Sequence, residues 1–194
     1  MKRILSILAV ALLTMTSLSG QELGNGLADV LFGDYNPAGR LTQTWVKDIL
    51  DLPNLLDYDI RNGRTYMYAK AKPIFPFGYG LSYTTFKYSH MKVKKDGDNY
   101  VVKFDLTNTG SRDGEEVVQL YAKFKGDDAS KRLRGFERVA VKAGETVPVE
   151  IVVPADDLKL WDSEKHAFDF KKGRTKLMLG ASSEDIRLKK NIKL

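Results

Sequence analysis

The sequence contains no cysteine and only two histidines in 194 residues. Without cysteine, disulfide bonds, thiolate metal sites and thiol nucleophiles are excluded. His90 and His166 lie far apart in the chain, and neither stands beside a motif that would make it a catalytic base or a zinc ligand. We therefore expect no metal site and no cofactor.

Length and charge exclude two further classes of protein. The chain is shorter than the eight-fold α/β barrel enzymes, which typically need ~250 residues. Its formal net charge is +6, but the basic residues are scattered among acidic ones. The densest basic clusters, at residues 92–95, 131–134 and 187–190, lack the interleaved aromatic side chains on which nucleic-acid bases stack. We therefore expect no nucleic-acid partner.

The clearest apolar run stands at the N-terminus. Lys2 and Arg3 precede an apolar stretch over residues 4–13, and small polar residues follow over residues 14–20. This pattern is typical of a secretory signal peptide, and the run is too short for a convincing membrane span. We expect residues 1–20 to be removed on export, the protein to be periplasmic or secreted, and the mature chain to make no membrane contact.

Residues 21–56 predict one short helix and one short strand. The helix has Gly33 available as its C-terminal stop, and the strand is predicted over residues 40–46. The apolar positions of the helix are Leu27, Ala28, Val30, Leu31 and Phe32. One helix and one strand do not make an independent core.

Residues 57–85 predict a structured linker that is rich in aromatics, glycine and proline. Prolines prevent a continuous central strand, and so many aromatics would not lie exposed along a flexible tether, so we expect this stretch to be pinned against a packed surface. Its aromatic side chains could also stack on sugar rings, although packing is the more common role in such a connection. We favour packing, and we keep Tyr66 and Tyr79 as weak candidates for substrate binding.

From residue 86 onward, short alternating segments separated by turn residues predict β-strands. The predicted strands cover residues 86–93, 100–107, 116–124, 133–141, 146–153, 167–170, 175–179 and 186–188. Their spacing indicates an all-β fold, an immunoglobulin or fibronectin type III-like antiparallel sandwich of about seven strands. We expect Trp161 at the edge of the sandwich core, and a surface ion pair between Asp185 and Arg187 that stabilises by no more than ~1 kcal/mol.

Three long sequence motifs occur in a fixed order along the chain. They are GLADVLFGDYNPAGRL at residues 26–41, FPFGYGLSYTTF at residues 75–86 and TNTGSRDGEEVVQLY at residues 107–121. Together they resemble the C-terminal end of family 3 glycoside hydrolases, the group of β-glucosidases and β-xylosidases. The resemblance implies a remnant of that family's α/β sandwich domain at residues 21–56, the linker at 57–85 and a fibronectin type III-like domain at 86–194.

The same resemblance implies that catalytic residues are missing. In this family the aspartate nucleophile sits in an N-terminal barrel and the acid/base residue usually lies earlier in the α/β sandwich domain, and neither motif occurs here. Retaining hydrolysis needs two carboxyl groups ~5 Å apart. The acidic pairs that the chain does contain are Asp57 and Asp59, Glu115 and Glu116, Asp127 and Asp128, and Asp156 and Asp157. Solvated turn carboxylates keep ordinary pKa values, so we expect no catalytic residue among them.

The resemblance favours a non-catalytic accessory or scaffold portion of a family 3 glycoside hydrolase, truncated before the catalytic residues. Two alternatives stay open: a subunit that completes a split β-glycosidase with a separate catalytic chain, and a carbohydrate-binding module. The predicted helix resembles one that covers a parallel sheet, so its apolar side chains must fold back on the sandwich, dock on a partner or stay exposed. A partner would be a glycosidase catalytic chain or a second copy of this chain, held through Leu27, Val30, Leu31 and Phe32.

Overall fold

A computed structural model describes residues 21–194. The chain divides into two compact units, and the boundary along the sequence falls between Pro37 and Ala38. The predicted signal peptide, residues 1–20, lies outside the described residues. In the first unit, helix α1 (Gln21–Phe32) ends at Gly33, which has a φ of +86° and donates its N–H to the Asp29 carbonyl at 3.1 Å. Glycine accepts this left-handed backbone without strain, so the predicted helix and its stop are confirmed.

The second unit, residues 38–194, contains nine strands and three short helical turns. The strands are β1 (Phe86–Asp96), β2 (Asn99–Asn108), β3 (Gly114–Phe124), β4 (Arg132–Val141), β5 (Thr146–Pro154), β6 (Leu160–Asp162), β7 (Ala167–Asp169), β8 (Arg174–Gly180) and β9 (Ile186–Lys193). The helical turns are a 3-10 helix (Ile49–Asp51), helix α2 (Thr65–Tyr68) and a second 3-10 helix (Ala155–Leu158).

All strand pairings in this unit are antiparallel. One sheet has the order β1-β2-β5, a second has the order β4-β3-β8-β9, and β6 and β7 form a separate hairpin. Buried side chains of both large sheets belong to a single core cluster. The two sheets therefore pack face to face as an antiparallel β-sandwich, as the alternating segments predict.

Strict alternation along β2 and β5 explains how the three-stranded sheet forms one wall of the core. In β2, Val102, Phe104 and Leu106 are at most 2% exposed, whereas Lys103 between them faces solvent. Because successive side chains point to opposite faces of a strand, this pattern places one face of β2 on the core. A two-residue turn at Gly97, with a φ of +56°, joins β1 to β2.

Strand β3 differs because both of its faces are buried. Val118 and Leu120 point into the sandwich core, while Gln119 and Tyr121 on the opposite face are 3% and 0% exposed. Something must cover that outer face, and the linker does so.

Two predictions about local structure are wrong. Residues 40–46 form no strand; only Trp45 makes an isolated bridge, to Phe75. The opposing segment carries Pro73 and Pro76, which lack an N–H and so cannot continue a ladder. Trp161 is not in the core either: it lies on β6 and is 57% exposed. Across residues 21–194, no helix combines the length and apolar character needed to cross a membrane.

Candidate functional site

The linker covers the outer face of β3 and forms the best-defined polar and aromatic interface of the second unit. We call this interface the linker platform: Gln119 and Tyr121 of β3, with Tyr66, Phe77 and Gly78 of the linker lying on them. The platform joins residues about 40 to 60 positions apart in sequence. It shows how the linker is fixed to the sandwich.

Gln119 is the polar centre of the platform. Its Nε2 donates to the carbonyls of Gly78 at 3.0 Å and Ala181 at 2.8 Å, and the Tyr121 hydroxyl donates to its Oε1 at 2.5 Å. Gly78 has a φ of +80°, and a Cβ there would stand 1.9 Å from Gln119 Oε1. Only glycine fits this close approach, which explains the glycine between Phe77 and Tyr79.

Tyr66, one of the two candidate sugar-binding residues, is used heavily in packing. Its ring stacks on Phe77 at a centroid distance of 4.4 Å and meets Tyr121 edge-on at 5.9 Å. Its hydroxyl accepts the Leu133 N–H at 2.9 Å, and its carbonyl accepts the Ser130 hydroxyl at 3.1 Å. Burial, and after it the charge interaction with Tyr66, raises the pKa of Tyr121, so the Tyr121 phenol stays a neutral hydrogen-bonding group.

Tyr79, the other candidate, lies apart from Tyr66. Its ring is tilted against Phe75 at 5.1 Å, and its carbonyl accepts the Leu41 N–H at 2.8 Å. Tyr66 lines a cavity of about 320 Å³ and Tyr79 lines a different one of about 340 Å³. The structure does not bring the two side chains into one site, and their binding of sugar stays a prediction.

A buried ion pair fixes the start of the second unit to the sandwich. Arg40 donates to Glu116 at 2.7 Å, and the two side chains are only 10% and 3% exposed. The Tyr88 hydroxyl donates to the other oxygen of Glu116 at 2.7 Å. Burial, together with the adjacent Glu116, raises the pKa of Tyr88. A charge buried this deeply depends on its partner, so Arg40 anchors the segment that follows Pro37.

A second ion pair holds α2 against β4. The Arg132 guanidinium donates to both carboxylate oxygens of Asp127, at 2.8 and 3.0 Å, and to the Tyr68 hydroxyl at 3.1 Å. Burial raises the pKa of Asp127, but the hydrogen bonds and charge of Arg132 outweigh it and lower that pKa overall. Asp127 therefore stays ionised and keeps Arg132 positioned to bind Tyr68.

At least one carboxylate of each acidic pair of the sequence is engaged by a cation. Arg61 holds Asp59 at 2.7 Å, and its hydrogen bonds lower the pKa of that carboxyl to about 2. Glu115 pairs with Arg138. The predicted pair of Asp185 and Arg187 is confirmed at 2.8 Å. Within residues 21–194, no group of three or more His, Asp or Glu side chains is placed to hold a metal.

Residues 49–60 carry a surface that sequence reasoning missed, and we call it the exposed apolar segment. The large side chains that are 78–88% exposed here are Ile49, Leu50, Leu55, Leu56 and Tyr58. The backbone is nevertheless held in place: Arg64 donates to the carbonyls of Asn54 at 2.8 Å and Asp57 at 2.9 Å. The sequence signal that could have revealed this surface is an apolar-rich stretch without helix or strand periodicity.

Two domain models match the chain. The glycosyl hydrolase family 3 C-terminal domain matches residues 5–83, so its match begins inside the segment predicted as a signal peptide. The fibronectin type III-like domain matches residues 116–183.

Known proteins match over most of this chain but over a minor part of their own length. The xylan 1,4-β-xylosidase of Xylanibacter ruminicola is 45% identical, with 88% of this chain and 20% of that protein covered. The periplasmic β-glucosidase of Salmonella typhimurium is 33% identical, with 89% and 25% covered. The solved β-glucosidase structure from Chaetomella raphigera superposes with a TM-score of 0.82 at 34% identity, with 91% of this chain and 29% of that one covered.

The domain order, the sandwich and these relatives agree with the motifs at residues 26–41, 75–86 and 107–121. The chain spans about a fifth to a quarter of the length of the two curated relatives. It belongs to the family 3 glycoside hydrolases and corresponds to their C-terminal part, mainly the fibronectin type III-like domain.

Proposed function

We propose that residues 38–194 serve as a non-catalytic accessory region that braces the catalytic part of a family 3 β-glycosidase. The exposed apolar segment is the observation that carries this proposal. Five large apolar side chains within ten residues face solvent on a hydrogen-bonded loop. So many exposed large apolar side chains in one short segment favour a protein contact, and each such side chain contributes about 1.5–3 kcal/mol when fully buried.

The carboxylates support an accessory role rather than a catalytic one. A glycosidase general acid needs a raised pKa so that it is protonated near neutral pH. Asp59 has its pKa lowered to about 2 by Arg61, and the pKa of Asp127 is lowered by Arg132. Glu116 is committed to Arg40 and Tyr88 in a buried network.

An assay of the purified protein tests the catalytic side of the proposal. We expect no release of nitrophenol from nitrophenyl β-glucoside or β-xyloside above a boiled control. Turnover by the purified chain alone would overturn the accessory role.

A chimera tests the bracing role. Residues 21–194 replace the matching C-terminal part of the Xylanibacter ruminicola xylosidase, and the thermal midpoint of its activity is measured. We expect Leu55→Ser with Leu56→Ser to lower that midpoint, because the exposed apolar segment then loses its contact. Phe136→Ser on β4, which is 65% exposed, is the matched control and should leave the midpoint unchanged. Equal midpoints for all three chimeras would contradict docking through residues 49–60.

We propose further that α1 contacts a partner through Leu27, Val30, Leu31 and Phe32, the partner being a glycosidase catalytic chain or a second copy. Leu31 and Phe32 are 41% and 83% exposed, which supports such a contact. Sedimentation velocity of the protein and of Phe32→Ser separates the two partners. If the protein is a dimer that Phe32→Ser dissociates, the partner of α1 is a second copy. If both proteins are monomers, the catalytic chain remains as the proposed partner.

We also propose that the protein is periplasmic or secreted. The charged, apolar and small-residue order of residues 1–20 supports export, and one relative is named a periplasmic β-glucosidase. Mass spectrometry of the exported protein is expected to find an N-terminus near Gln21. A product that retains Met1 would contradict the signal peptide.

We assign the sandwich to the immunoglobulin and fibronectin type III-like group. The support is a three-stranded and a four-stranded antiparallel sheet with seven strands between them, together with the domain match over residues 116–183. An experimental structure with a different strand order would contradict this assignment.

A further inference from the structure

The β6–β7 hairpin displays two aromatic rings that the accessory role does not use. Trp161 and Phe168 stand opposite each other in the hairpin register, with ring centroids 5.4 Å apart and planes at 73°. They are 57% and 67% exposed, although neither lies in the exposed apolar segment. An exposed indole next to an exposed phenyl ring offers apolar faces to a flat ligand.

Both rings line an open cleft of about 680 Å³, which we call the hairpin cleft. This volume lies within the range of small-molecule binding sites. The cleft is also lined by cationic and anionic side chains, among them Arg134, Asp162 and Glu164. It therefore combines apolar surface with hydrogen-bond donors and acceptors.

Arg134 stands out among the cations of the cleft. Arg132 is paired with Asp127, Lys159 is paired with Asp156 at 2.7 Å, and the Lys171 ammonium donates to the Gly126 carbonyl. Arg134 has no ion-pair partner among residues 21–194, and its Nε is buried without a hydrogen-bond partner there. Burial and the neighbouring Arg132 lower the pKa of Arg134, and the nearby carboxylates of Asp157 and Asp127 offset this only in part. The guanidinium lies 5.7 Å from the centroid of the Phe124 ring, and a ligand carboxylate would satisfy the hydrogen-bonding capacity that the protein leaves open at Arg134.

The mixture of charges selects among anionic ligands. Four carboxylates line the same cleft as Arg134: Asp127, Asp162, Glu164 and Asp169. Arg132, Lys159 and Lys171 line the cleft as well, so its charges balance and give a polyphosphate or a nucleic-acid backbone no net attraction, whereas the carboxylates can accept hydrogen bonds from neutral hydroxyl groups. The ligand that fits has one carboxylate, several hydroxyl groups and an apolar ring face.

We propose that the hairpin cleft binds a uronic-acid-bearing oligosaccharide, with a sugar ring stacked on the Trp161 indole beside Phe168 and the uronate carboxylate on Arg134. A planar guanidinium matches a carboxylate with two parallel hydrogen bonds, which makes the acidic sugar preferred over its neutral counterpart. This site is separate from the accessory role, because it uses none of residues 49–60.

Isothermal titration calorimetry on the full protein tests the proposal with two probes. One is a xylo-oligosaccharide carrying a single glucuronic acid, and the other is the unsubstituted xylo-oligosaccharide of the same length. We expect saturable binding of the acidic probe at least tenfold tighter than the neutral one. No saturable binding, or equal affinity for the two probes, would overturn the proposal.

Variants assign the roles of the side chains. We expect Trp161→Ala to weaken binding of the acidic probe at least tenfold, and Arg134→Gln to reduce the preference for the acidic probe to less than threefold. Phe136→Ala on β4 and Arg174→Gln on β8 are the matched aromatic and basic controls, and both should bind like the wild type. Wild-type behaviour of Trp161→Ala and Arg134→Gln would contradict the assignment.

A measurement on the unaltered protein tests the ionic contact even if the Arg134 variant does not fold. Raising the salt concentration should weaken binding of the acidic probe and leave the neutral one nearly unchanged, because only the acidic probe makes an ionic contact. Acidic-probe binding that is insensitive to salt would show that the carboxylate does not meet Arg134.

Discussion

Residues 75–79 lie in the linker and residues 49–60 span its start, and these two aromatic or apolar-rich pieces meet opposite environments. The first piece is partly or fully buried: Gly78 is bound by Gln119 of β3, and Phe77 stacks on Tyr66, which meets Tyr121 of β3. The second keeps its backbone ordered through Arg64 while its large side chains face solvent. Apolar content alone therefore does not decide which of the two pieces is buried.

The difference lies in what each piece finds opposite it. Residues 75–79 meet a strand whose outer face offers a buried amide and a buried phenol with matching hydrogen bonds. Residues 49–60 meet no such face within residues 38–194, because five of their large side chains remain 78–88% exposed. The first piece is part of the folded sandwich, and the second is the surface that we propose for a contact outside it. Four substitutions test this division.

The largest effect is expected at Arg40. Arg40→Met leaves Glu116 charged and buried without its cation, which should lower the free energy of unfolding by about 3–5 kcal/mol. Arg61→Met is the matched control, because Arg61 also pairs with a carboxylate but is 66% exposed, and its loss should lower the free energy of unfolding far less. Urea unfolding followed by circular dichroism measures both. Equal losses would mean that the Arg40 pair does not hold the segment after Pro37 on the sandwich.

Gly78→Ala should have the next largest effect. The added Cβ meets Gln119 Oε1 and forces an L side chain into a φ of +80°, so we expect a loss of about 2–4 kcal/mol from strain and broken hydrogen bonds. Gly97→Ala has a φ of +56° and no atom within 4 Å of its Cβ. It therefore isolates the strain, and urea unfolding should show the smaller loss there. If the Gly97 variant lost as much stability as the Gly78 variant, the clash with Gln119 would not explain the loss at Gly78.

The sequence predicts the sandwich well because its strands are local patterns. The alternation over residues 116–124 correctly places Val118 and Leu120 on the core face, and the turns around it are marked by glycine and aspartate. The same alternation puts Gln119 and Tyr121 on the other face, but it cannot show that this face is covered. The covering residues lie about 40 or more positions earlier in the chain, and no local pattern encodes their arrival.

Parts of the candidate sites could not be predicted from the sequence, and the physical reasons are similar. Tyr66 is a weak sugar-binding candidate in the sequence because it is an aromatic in a linker, and its stack on Phe77 depends on a contact with β3. Trp161 is predicted in the core because it is large and apolar, yet it sits on a three-residue strand that pairs only with β7. A strand this short has too few residues for a readable period.

A smaller, pH-dependent effect is expected at Asp127. Since Arg132 lowers the pKa of this carboxyl in the folded protein, the pair stabilises fully above the unfolded pKa of about 3.9 and loses its contribution as the pH falls through the folded pKa. Asp127→Asn should therefore cost about 1.5–3 kcal/mol at pH 7 and progressively less below pH 4. Urea unfolding at several pH values measures the difference, with the exposed neighbour Asp128→Asn as the control. A difference that stays constant down to pH 2 would contradict the ionic role.

The smallest effect on stability is expected in the exposed apolar segment. Leu55 and Leu56 are 83% and 78% exposed, so replacing both by serine removes almost no burial and should change the free energy of unfolding by less than about 0.5 kcal/mol. The same double variant should bind less of a dye that reports exposed apolar surface, because the contact surface itself is gone. Phe77→Ser, on the buried piece, is the contrasting substitution and should destabilise the sandwich instead. If the Leu55 and Leu56 variant unfolded as readily as the Phe77 variant, residues 49–60 would belong to the folded core, and no outside contact would be needed to explain them.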